Sequence, residues 1–275
     1  MTSIVLAWGP QRLIKGGERR IERAWLIFTG DLIDIDGHYM RIEQKGEGGP
    51  TVVFEPGLSQ TRDTWGSIPN EMAKVTGVAV YDRAGVGESD PVSFPRTTRQ
   101  IINDLHNLLI RANVAKPYIL VGHSFGGLNA RLFACQYPDE VVGMVLIDPS
   151  HEEQFMRYAE LMPAEKRIQY IRHERGENEE RVDMFASAHQ VKLARSLPSI
   201  PTVIITAGID HKKANYDRSE QIHQELQSSL VRLIPGSRQI MAEKSGHFIQ
   251  KDQPELVIKA IRELVEAARA KKKLM

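Results

Sequence analysis

Residues 118–131 read Tyr-Ile-Leu-Val-Gly-His-Ser-Phe-Gly-Gly-Leu-Asn-Ala-Arg, or YILVGHSFGGLNAR in one-letter code. The centre, residues 122–126, has the pattern Gly-x-Ser-x-Gly, in which a serine can occupy a tight turn between a strand and a helix. This short motif can arise by chance, so its surroundings must decide whether Ser124 is a nucleophile. The apolar run before the motif predicts a buried strand, and the apolar spacing after it predicts a helix that ends near Tyr137-Pro138. Gly122 and Gly126 remove Cβ atoms where that strand and helix would crowd each other.

Short apolar runs bounded by turn residues recur along the chain from residue 31 onward. The first two runs flank Asp36-Gly37, a dipeptide that is typical of a β-hairpin turn. Helical periods separate the later runs, for example after Thr97-Thr98 and after Pro254. Because strands alternate with helices, we expect an α/β fold with a mostly parallel, doubly wound sheet and an antiparallel start. The predicted strands after the hairpin contain residues 52–54, 78–81, 119–121, 144–147, 203–205 and 239–241.

Residues 151–198 interrupt this alternation. The segment is charged, contains amphipathic helical pieces and has no strand-like run, and about 48 residues is long for a connection inside a compact domain. We therefore expect a helical cap or lid, with a plain pair of surface helices as the alternative. An α/β core of residues 31–150 and 199–275 would then follow an N-terminal extension of residues 1–30. One apolar cluster of the cap would suit either a pocket wall or lid packing: Phe155, Met156, Tyr158, Leu161 and Met162.

Composition limits the classes of partner and site. The formal net charge of the 275 residues is only +1, which argues against nucleic acid as a partner, since phosphate binding usually needs a strongly basic face. The single cysteine, Cys135, excludes an intramolecular disulfide and disfavours a cysteine-based metal site, and a reducing, cytoplasmic location is expected. Residues 1–30 hold two apolar runs that are too short to span a membrane. Weak association with a membrane or another surface would explain them, and so would a helix packed on the domain or a partly disordered tail.

A serine hydroxyl attacks a carbonyl usefully at neutral pH only when a base lies within hydrogen-bond reach and an acid orients that base. His247 is the predicted base, because it lies on a loop beside a glycine, after a strand-like run and before the last helix. His123 adjoins Ser124 but is expected to have a structural role.

Several stretches, in the correct order, resemble the α/β-hydrolase fold family over roughly residues 31–268. They are residues 122–127 (GHSFGG), 81–90 (YDRAGVGESD), 245–249 (SGHFI) and 252–256 (DQPEL). The resemblance implies the family's fold, a hydrolytic Ser-His-Asp site and a cap insertion, and it implies no cofactor. The chain order serine, acid, histidine is also that of the family. These stretches do not specify a substrate.

Two aspartates at strand ends compete for the role of the acid. Asp210 follows residues 201–209, which resemble the seventh strand that usually delivers the acid in this family. Asp148 follows residues 144–147, which resemble the sixth strand, where some members carry the acid and others keep an aspartate for structural reasons. We favour Asp210 and keep Asp148 as the alternative.

The oxyanion hole is expected to combine the backbone N–H of Phe125 with one from the loop after the third predicted strand. Relatives often carry His-Gly in that loop, whereas this chain has Glu55-Pro56-Gly57-Leu58. Proline donates no N–H, so Gly57 or Leu58 must supply the second donor.

Glu55 ends the same predicted strand and needs a partner if it is buried. Arg83, in the stretch of residues 81–90, is the predicted partner. The alternative is that Glu55 takes part in the chemistry.

These residues predict acyl transfer to water from a small carboxylic ester, with Ser124 as nucleophile and His247 as proton shuttle. A serine at the turn argues against relatives that use aspartate there, the epoxide hydrolases and haloalkane dehalogenases. One alternative is a receptor that binds a small ligand without turnover, since a fold alone does not establish function. The other is an aminopeptidase or amidase of the same fold, which would need acidic cap residues to hold an amino group, such as Glu152, Glu153, Glu160 or Glu165.

Overall fold

The computed structural model describes residues 29–92, 95–194, 199–208 and 218–273. Within these ranges the strands form one eight-stranded sheet. The strands are β1 (Thr29–Asp34), β2 (Tyr39–Lys45), β3 (Thr51–Glu55), β4 (Val78–Tyr81), β5 (Tyr118–His123), β6 (Val141–Ile147), β7 (Thr202–Ala207) and β8 (Ser237–Ala242).

The order across the sheet is β1-β2-β4-β3-β5-β6-β7-β8. The pairs β1–β2 and β2–β4 are antiparallel, and every later neighbouring pair is parallel. This topology confirms the predicted α/β fold with an antiparallel start. The helices are α1 (Ile68–Ala73), α2 (Thr98–Arg111), α3 (Phe125–Gln136), α4 (Gln154–Leu161), α5 (Ala164–Glu174), α6 (Met184–Leu193), α7 (Arg218–Leu233), α8 (Ile249–Asp252) and α9 (Pro254–Lys273).

The β1–β2 hairpin forms on the predicted Asp-Gly turn. Asp36 and Gly37 have φ values of 51° and 104°, the left-handed pair that a two-residue type I′ turn requires. The Gly37 N–H also donates to Asp34 Oδ1 at 2.9 Å, a local contact that is common in aspartate turns. Local turn chemistry therefore sets the register of the antiparallel start.

The parallel strands carry apolar side chains on both faces, as the continuous runs predict. On one face Val53 and Leu120 pack in the same cluster as Leu105 of α2 and Phe133 of α3. The intervening residues of these strands, such as Val52 and Ile119, point to a second cluster that contains residues of α1 and α9. Because helices cover both faces, the loops at the carboxyl ends of the parallel strands remain as the place for a site.

The segment after β6 folds into α4, α5 and α6, with no sheet strand among its described residues, 151–194. α4 packs against α7, and α6 packs against α2 and α3. The helical character of this segment agrees with the sequence pattern, and its role as a lid stays a prediction.

The N-terminal extension was expected to associate weakly with a surface, to dock on the domain as a helix or to form a partly disordered tail. Residues 1–28 lie outside the described ranges, so these alternatives stay predictions. None of the helices within the described ranges combines the length and apolar character that a membrane span requires.

Candidate active site

Ser124 lies on a sharp turn between β5 and α3. Its φ of 52° and ψ of −120° are strained for a residue with a side chain. The Ser124 N–H donates to the Ile147 carbonyl at 3.0 Å, and the Ser124 carbonyl accepts from Ser150 N–H at 2.9 Å. The end of β6 and the residues after it therefore hold the strained turn from both sides.

The two glycines of the motif allow close packing around this turn. A Cβ on Gly122 would lie 2.5 Å from the carbonyl oxygen of Gly126. A Cβ on Gly126 would overlap the carbonyl oxygen of Glu55 and lie 2.6 Å from that of Pro56. The predicted crowding is confirmed, and it brings the start of α3 directly against the loop after β3.

Asp148 follows β6 and is buried, with a left-handed φ of 40°. Its Oδ2 lies 2.7 Å from His247 Nδ1. Its Oδ1 accepts from Ala207 N–H at 3.1 Å and lies 3.0 Å from His223 Nε2. Burial alone would raise the pKa of this carboxyl, but the hydrogen bonds from His223 and His247 outweigh it and hold the pKa well below its usual range. Asp148 is therefore a carboxylate that can orient His247.

His247 lies on the loop between β8 and α8, and its side chain is 45% exposed. His123 supports this loop from below. Burial lowers the pKa of His123 to about 3, so its ring is neutral at neutral pH, and its Nε2–H donates to the carbonyl oxygen of His247 at 2.9 Å. The two rings lie 4.7 Å apart between centroids. His123 thus has the structural role expected for it. Because His123 directly precedes Ser124, its contacts bring His247 close to Ser124.

Ser124 and His247 do not share a hydrogen bond within the described part of the chain, although His123, the residue before Ser124, contacts His247. Such contacts between a nucleophile and its base often tighten only when substrate binds. The structure therefore joins the predicted base to an acid and brings both to the same edge of the sheet as Ser124.

Asp210, the acid favoured from the sequence, lies in residues 209–217, outside the described ranges. Its relation to His247 therefore stays a prediction. Asp148, the alternative, is the carboxylate that the described structure places on His247.

His223 is a site residue that the sequence patterns did not reveal. It lies on α7, and its Nε2 contacts Oδ1 of Asp148, the carboxylate oxygen that does not contact His247. No motif marks it, because it is one polar residue in an amphipathic helix and its contact spans 75 residues. Only the packing of α7 against the sheet could have identified it.

The predicted oxyanion residues meet at the start of α3. The N–H of Phe125 belongs to the first turn of α3, where N–H groups have no partner within the helix. Gly57 and Leu58 follow β3 on the loop that crowds Gly126. Across the described ranges, no hydrogen bond within the protein uses the N–H of Gly57, Leu58 or Phe125. All three N–H groups are therefore unpaired within the described ranges, and their role as oxyanion donors stays a prediction.

Glu55 is buried at the end of β3, and Arg83 is its partner, as predicted. Arg83 Nη1 donates to Glu55 Oε1 at 2.9 Å, and Asn129 Nδ2 donates to the same oxygen at 2.8 Å. The hydroxyl of Tyr81 donates to the other oxygen. Burial raises the pKa of Glu55, whereas these three donors favour its charged form. The contacts supply a structural role for Glu55 in holding the loop after β3.

A cavity of about 240 Å³ opens beside His247. A larger, shallow depression of about 570 Å³ lies along α7 and contains none of the site residues. The smaller cavity is therefore the one that borders the contact between His247 and Asp148. Its lining residues are Asp148, Tyr158, Ala207, Ser219, Glu220, His223 and His247.

The apolar cap cluster divides between packing and cavity. Phe155 is buried and lies 6.1 Å from Phe185 between ring centroids, whereas Tyr158 lines the cavity. Met156 and Leu161 are exposed.

The four acidic cap residues do not line the cavity. Glu152 forms a two-point ion pair with Arg131, and Glu153 pairs with Lys192. Glu160 and Glu165 are exposed. Within the described ranges, no group of three or more His, Cys, Asp or Glu side chains is arranged to hold a metal ion.

Comparison with known proteins agrees with this architecture. A family model described as alpha/beta hydrolase fold matches residues 50–196. The chain is 30% identical over 243 residues to the uncharacterized protein YqjL of Bacillus subtilis (strain 168), and the match covers 88% of this chain and 92% of that protein.

Solved structures show the same fold. A thermophilic esterase from Thermogutta terrifontis is similar with a TM-score of 0.58 and 23% identity, over 89% of this chain and 99% of that one. An epoxide hydrolase mutant from Vigna radiata is similar with a TM-score of 0.64 and 15% identity, over 87% of this chain and 99% of that one. At such identities the likeness concerns the fold.

Proposed function

Because this chain belongs to the α/β-hydrolase fold family, we propose that it is a serine hydrolase that cleaves a small carboxylic ester through an acyl-enzyme on Ser124. The observation that carries this proposal is the contact of 2.7 Å between His247 Nδ1 and the buried Asp148 carboxylate, at the sheet edge where Ser124 occupies a strained turn. The likeness to an esterase of the same fold supports it.

The reaction follows from the roles of these groups. Ser124 Oγ attacks the ester carbonyl carbon while His247 Nε2 takes its proton. The tetrahedral oxyanion is stabilised by the N–H of Phe125 and by an N–H from Gly57 or Leu58. When the intermediate collapses, the C–O bond to the alcohol breaks and His247 returns the proton to the leaving oxygen. Water then repeats these steps on the acyl-enzyme, which releases the acid and restores Ser124.

Asp148 is the acid in this proposal. A carboxylate that accepts from His247 Nδ1–H leaves Nε2 free to take the serine proton, and it stabilises the imidazolium that forms. The left-handed backbone of Asp148 supports the assignment, because strained residues cluster at functional sites.

A chain-length series of p-nitrophenyl esters tests the size of the acyl group. The cavity of about 240 Å³ is lined by Asp148 and His247 but by neither Ser124 nor the predicted oxyanion residues, so its volume does not set the size of the acyl pocket. The proposed small ester predicts activity that is highest on p-nitrophenyl acetate and butyrate and that falls for long acyl chains. A cytoplasmic site of action stays a prediction from the single cysteine.

Replacing Ser124 tests the proposal. Ser124→Ala should abolish hydrolysis of p-nitrophenyl acetate and should also abolish labelling by a fluorophosphonate, because both reactions need the serine oxygen. Ser187→Ala is the matched control, since Ser187 is a buried serine on α6 whose contacts are with Thr98 and Asp183. Ester hydrolysis that survives in Ser124→Ala would refute the serine mechanism.

A second candidate is hydrolysis of an ester or amide that carries an amino group. One observation favours it: the Glu220 side chain lines the cavity beside His247 and could attract an ammonium group. Aminoacyl p-nitroanilides measured beside p-nitrophenyl butyrate distinguish the two. A kcat/KM that is higher for the anilides, and that falls in Glu220→Gln, would favour this candidate.

A further inference from the structure

Arg83 lies beneath the loop after β3, on the side away from solvent. Its side chain is 1% exposed, and it makes contacts beyond those to Glu55. Arg83 Nη1 donates to the carbonyl oxygen of Pro56 at 2.6 Å, and Nη2 donates to that of Gly57 at 2.5 Å. One guanidinium therefore binds two successive carbonyl groups of the loop.

These two contacts determine where the loop N–H groups point. In a trans peptide the carbonyl of one residue and the N–H of the next point in opposite directions, and neither peptide of this pair is cis. Because the Pro56 carbonyl points to Arg83, the Gly57 N–H points away from it. The Leu58 N–H does the same, because the Gly57 carbonyl also points to Arg83. Arg83 thus turns both candidate oxyanion donors away from the buried side of the loop.

Glu180, from the segment between β6 and β7, completes this arrangement. Its Oε1 accepts from Arg83 Nε at 2.5 Å and its Oε2 accepts from Arg83 Nη2 at 2.8 Å. The same Oε2 accepts from the Ser59 N–H at 2.8 Å. The Glu180 side chain is fully buried. One residue of the expected cap therefore accepts hydrogen bonds both from the Arg83 guanidinium and from the Ser59 N–H of the loop.

The contact between Glu180 and the Ser59 N–H stabilises a strained residue of the loop. Ser59 has a left-handed φ of 57°, which is costly for a residue other than glycine unless its surroundings hold it. Its N–H contact with Glu180 is therefore one of the restraints that keep the loop in this conformation.

We propose that Arg83 and Glu180 are positioning residues for the oxyanion hole, which hold the Gly57 and Leu58 N–H groups in the direction of the Ser124 side of the loop. This role rests on the proposed serine hydrolase function. It makes the cap a contributor to transition-state stabilisation, because a carboxylate of the cap helps to set the geometry of the donors.

Glu180→Gln is the variant that tests this role. The substitution keeps the volume and one acceptor but removes the charge that fixes Arg83. Removing one oxyanion donor outright costs about 10²–10³ in kcat, so a loosened donor should lower kcat by about 10- to 100-fold. KM for p-nitrophenyl butyrate should change less than about twofold, since the donors act mainly in the transition state. Binding of an alkylboronic acid, which forms a tetrahedral adduct on the serine, should weaken by the same factor as kcat.

Glu152→Gln is the matched control. Glu152 is also a buried carboxylate of the segment after β6 in a two-point ion pair with an arginine, but its partner Arg131 lies on α3 and, within the described ranges, forms no hydrogen bond or ion pair with the loop after β3. Both variants should lower Tm, and only Glu180→Gln should lower kcat and boronic acid affinity. If Glu180→Gln is too unstable to purify, Glu180→Asp keeps the charge on a shorter side chain and should show the same split between kcat and KM to a smaller extent.

A kcat and a boronic acid affinity in the Glu180 variants that match those of Glu152→Gln would overturn the positioning role. Ester hydrolysis that survives in Ser124→Ala would instead refute the serine mechanism, and the positioning role with it. Serine-dependent hydrolysis that is indifferent to Glu180 leaves the proposed function standing and refutes only the role of the Arg83–Glu180 pair.

Discussion

Replacing Asp148 by asparagine turns one carboxylate oxygen into an NH₂ group. The two oxygens of Asp148 have different partners, so the new NH₂ group must face one set of partners or the other. In the protein, Oδ1 accepts from the Ala207 N–H at 3.1 Å and lies 3.0 Å from His223 Nε2, while Oδ2 lies 2.7 Å from His247 Nδ1. An asparagine of the same shape must turn its NH₂ group to one of these sides. The backbone N–H of Ala207 can only donate, so the asparagine oxygen belongs on that side and the NH₂ group faces His247.

This orientation gives His247 the wrong tautomer. An NH₂ group that donates to Nδ1 requires Nδ1 to be unprotonated, so the ring proton moves to Nε2, the atom that accepts the proton of Ser124 in the proposed reaction. Turning the amide around would leave two donors facing each other at Ala207, and an unsatisfied buried donor costs about 1–3 kcal/mol. That penalty alone removes about 5- to 150-fold of the productive form at 1.36 kcal/mol per tenfold.

The lost carboxylate charge adds to this penalty, because it no longer stabilises the imidazolium. The same substitution in a serine protease triad lowers kcat by about 10⁴, and we expect a loss of about 10³ to 10⁴ here, or about 4 to 5.5 kcal/mol. The assay is kcat/KM on p-nitrophenyl acetate, with Tm measured to confirm that the variant is folded.

Asp210→Asn is the matched control, since Asp210 is the acid favoured by resemblance alone. It should retain activity within about tenfold of the wild type, because in the proposed mechanism the carboxylate of Asp148 orients His247. The assignment would be refuted if Asp148→Asn stayed within tenfold of wild type while Asp210→Asn lost several orders of magnitude.

Two further predictions concern stability. Burial alone would raise the pKa of Glu152, but the ion pair with Arg131 outweighs it and lowers the pKa to about 2 from an ordinary value of 4.5. This carboxylate therefore stabilises the fold above pH 4.5 by up to about 3 kcal/mol. The contribution is lost as the pH falls toward 2. The difference in unfolding free energy between wild type and Glu152→Gln should therefore shrink over that range in urea titrations, and a difference independent of pH would contradict the assignment. Ser124→Gly should unfold at a higher temperature than Ser124→Ala, since glycine adopts a φ of 52° with ψ of −120° without strain, and an equal or lower Tm would show that the turn is not strained.

The regular elements were the predictable part, because their signals are local. Continuous apolar runs mark strands buried on both faces, and the Asp36-Gly37 turn sets the hairpin by its own backbone preference. The short helix α1 and the long helix α7 were not predicted, and α7 carries His223. An amphipathic helix with many polar residues has a weak local signal, and packing against the sheet decides its place.

The site was predictable in its residue types and only partly in its pairings. Ser124, His247 and the loop of Gly57 and Leu58 could be named from motifs, but the choice between two aspartates depends on the direction of side chains at adjacent strand ends. His247 and Asp148 are 99 residues apart, and Arg83 and Glu180 are 97 apart. Contacts at that separation follow from topology, since no local spacing records them. Glu180 lies in a charged segment, where most carboxylates are solvated, and nothing in the sequence separates it from its neighbours.

Two strained residues of the site, which follow directly after strands, are held by backbone hydrogen bonds to the neighbouring strand. The Ser124 N–H binds the carbonyl of Ile147 at 3.0 Å, and the Asp148 N–H binds the carbonyl of Ile205 at 2.7 Å. A carbonyl group of β6 therefore binds the strained residue after β5, and a carbonyl group of β7 binds the strained residue after β6. The Glu180 carboxylate accepts from the Ser59 N–H in the same way. A left-handed residue costs about 1–3 kcal/mol, so three of them need the rigid ladder of β5, β6 and β7 and the buried Arg83 pair behind them. Since strain at all three positions serves the same small region, the packing of the sheet and of the segment after β6 determines how well the proposed nucleophile, the proposed acid and the proposed oxyanion loop stay aligned.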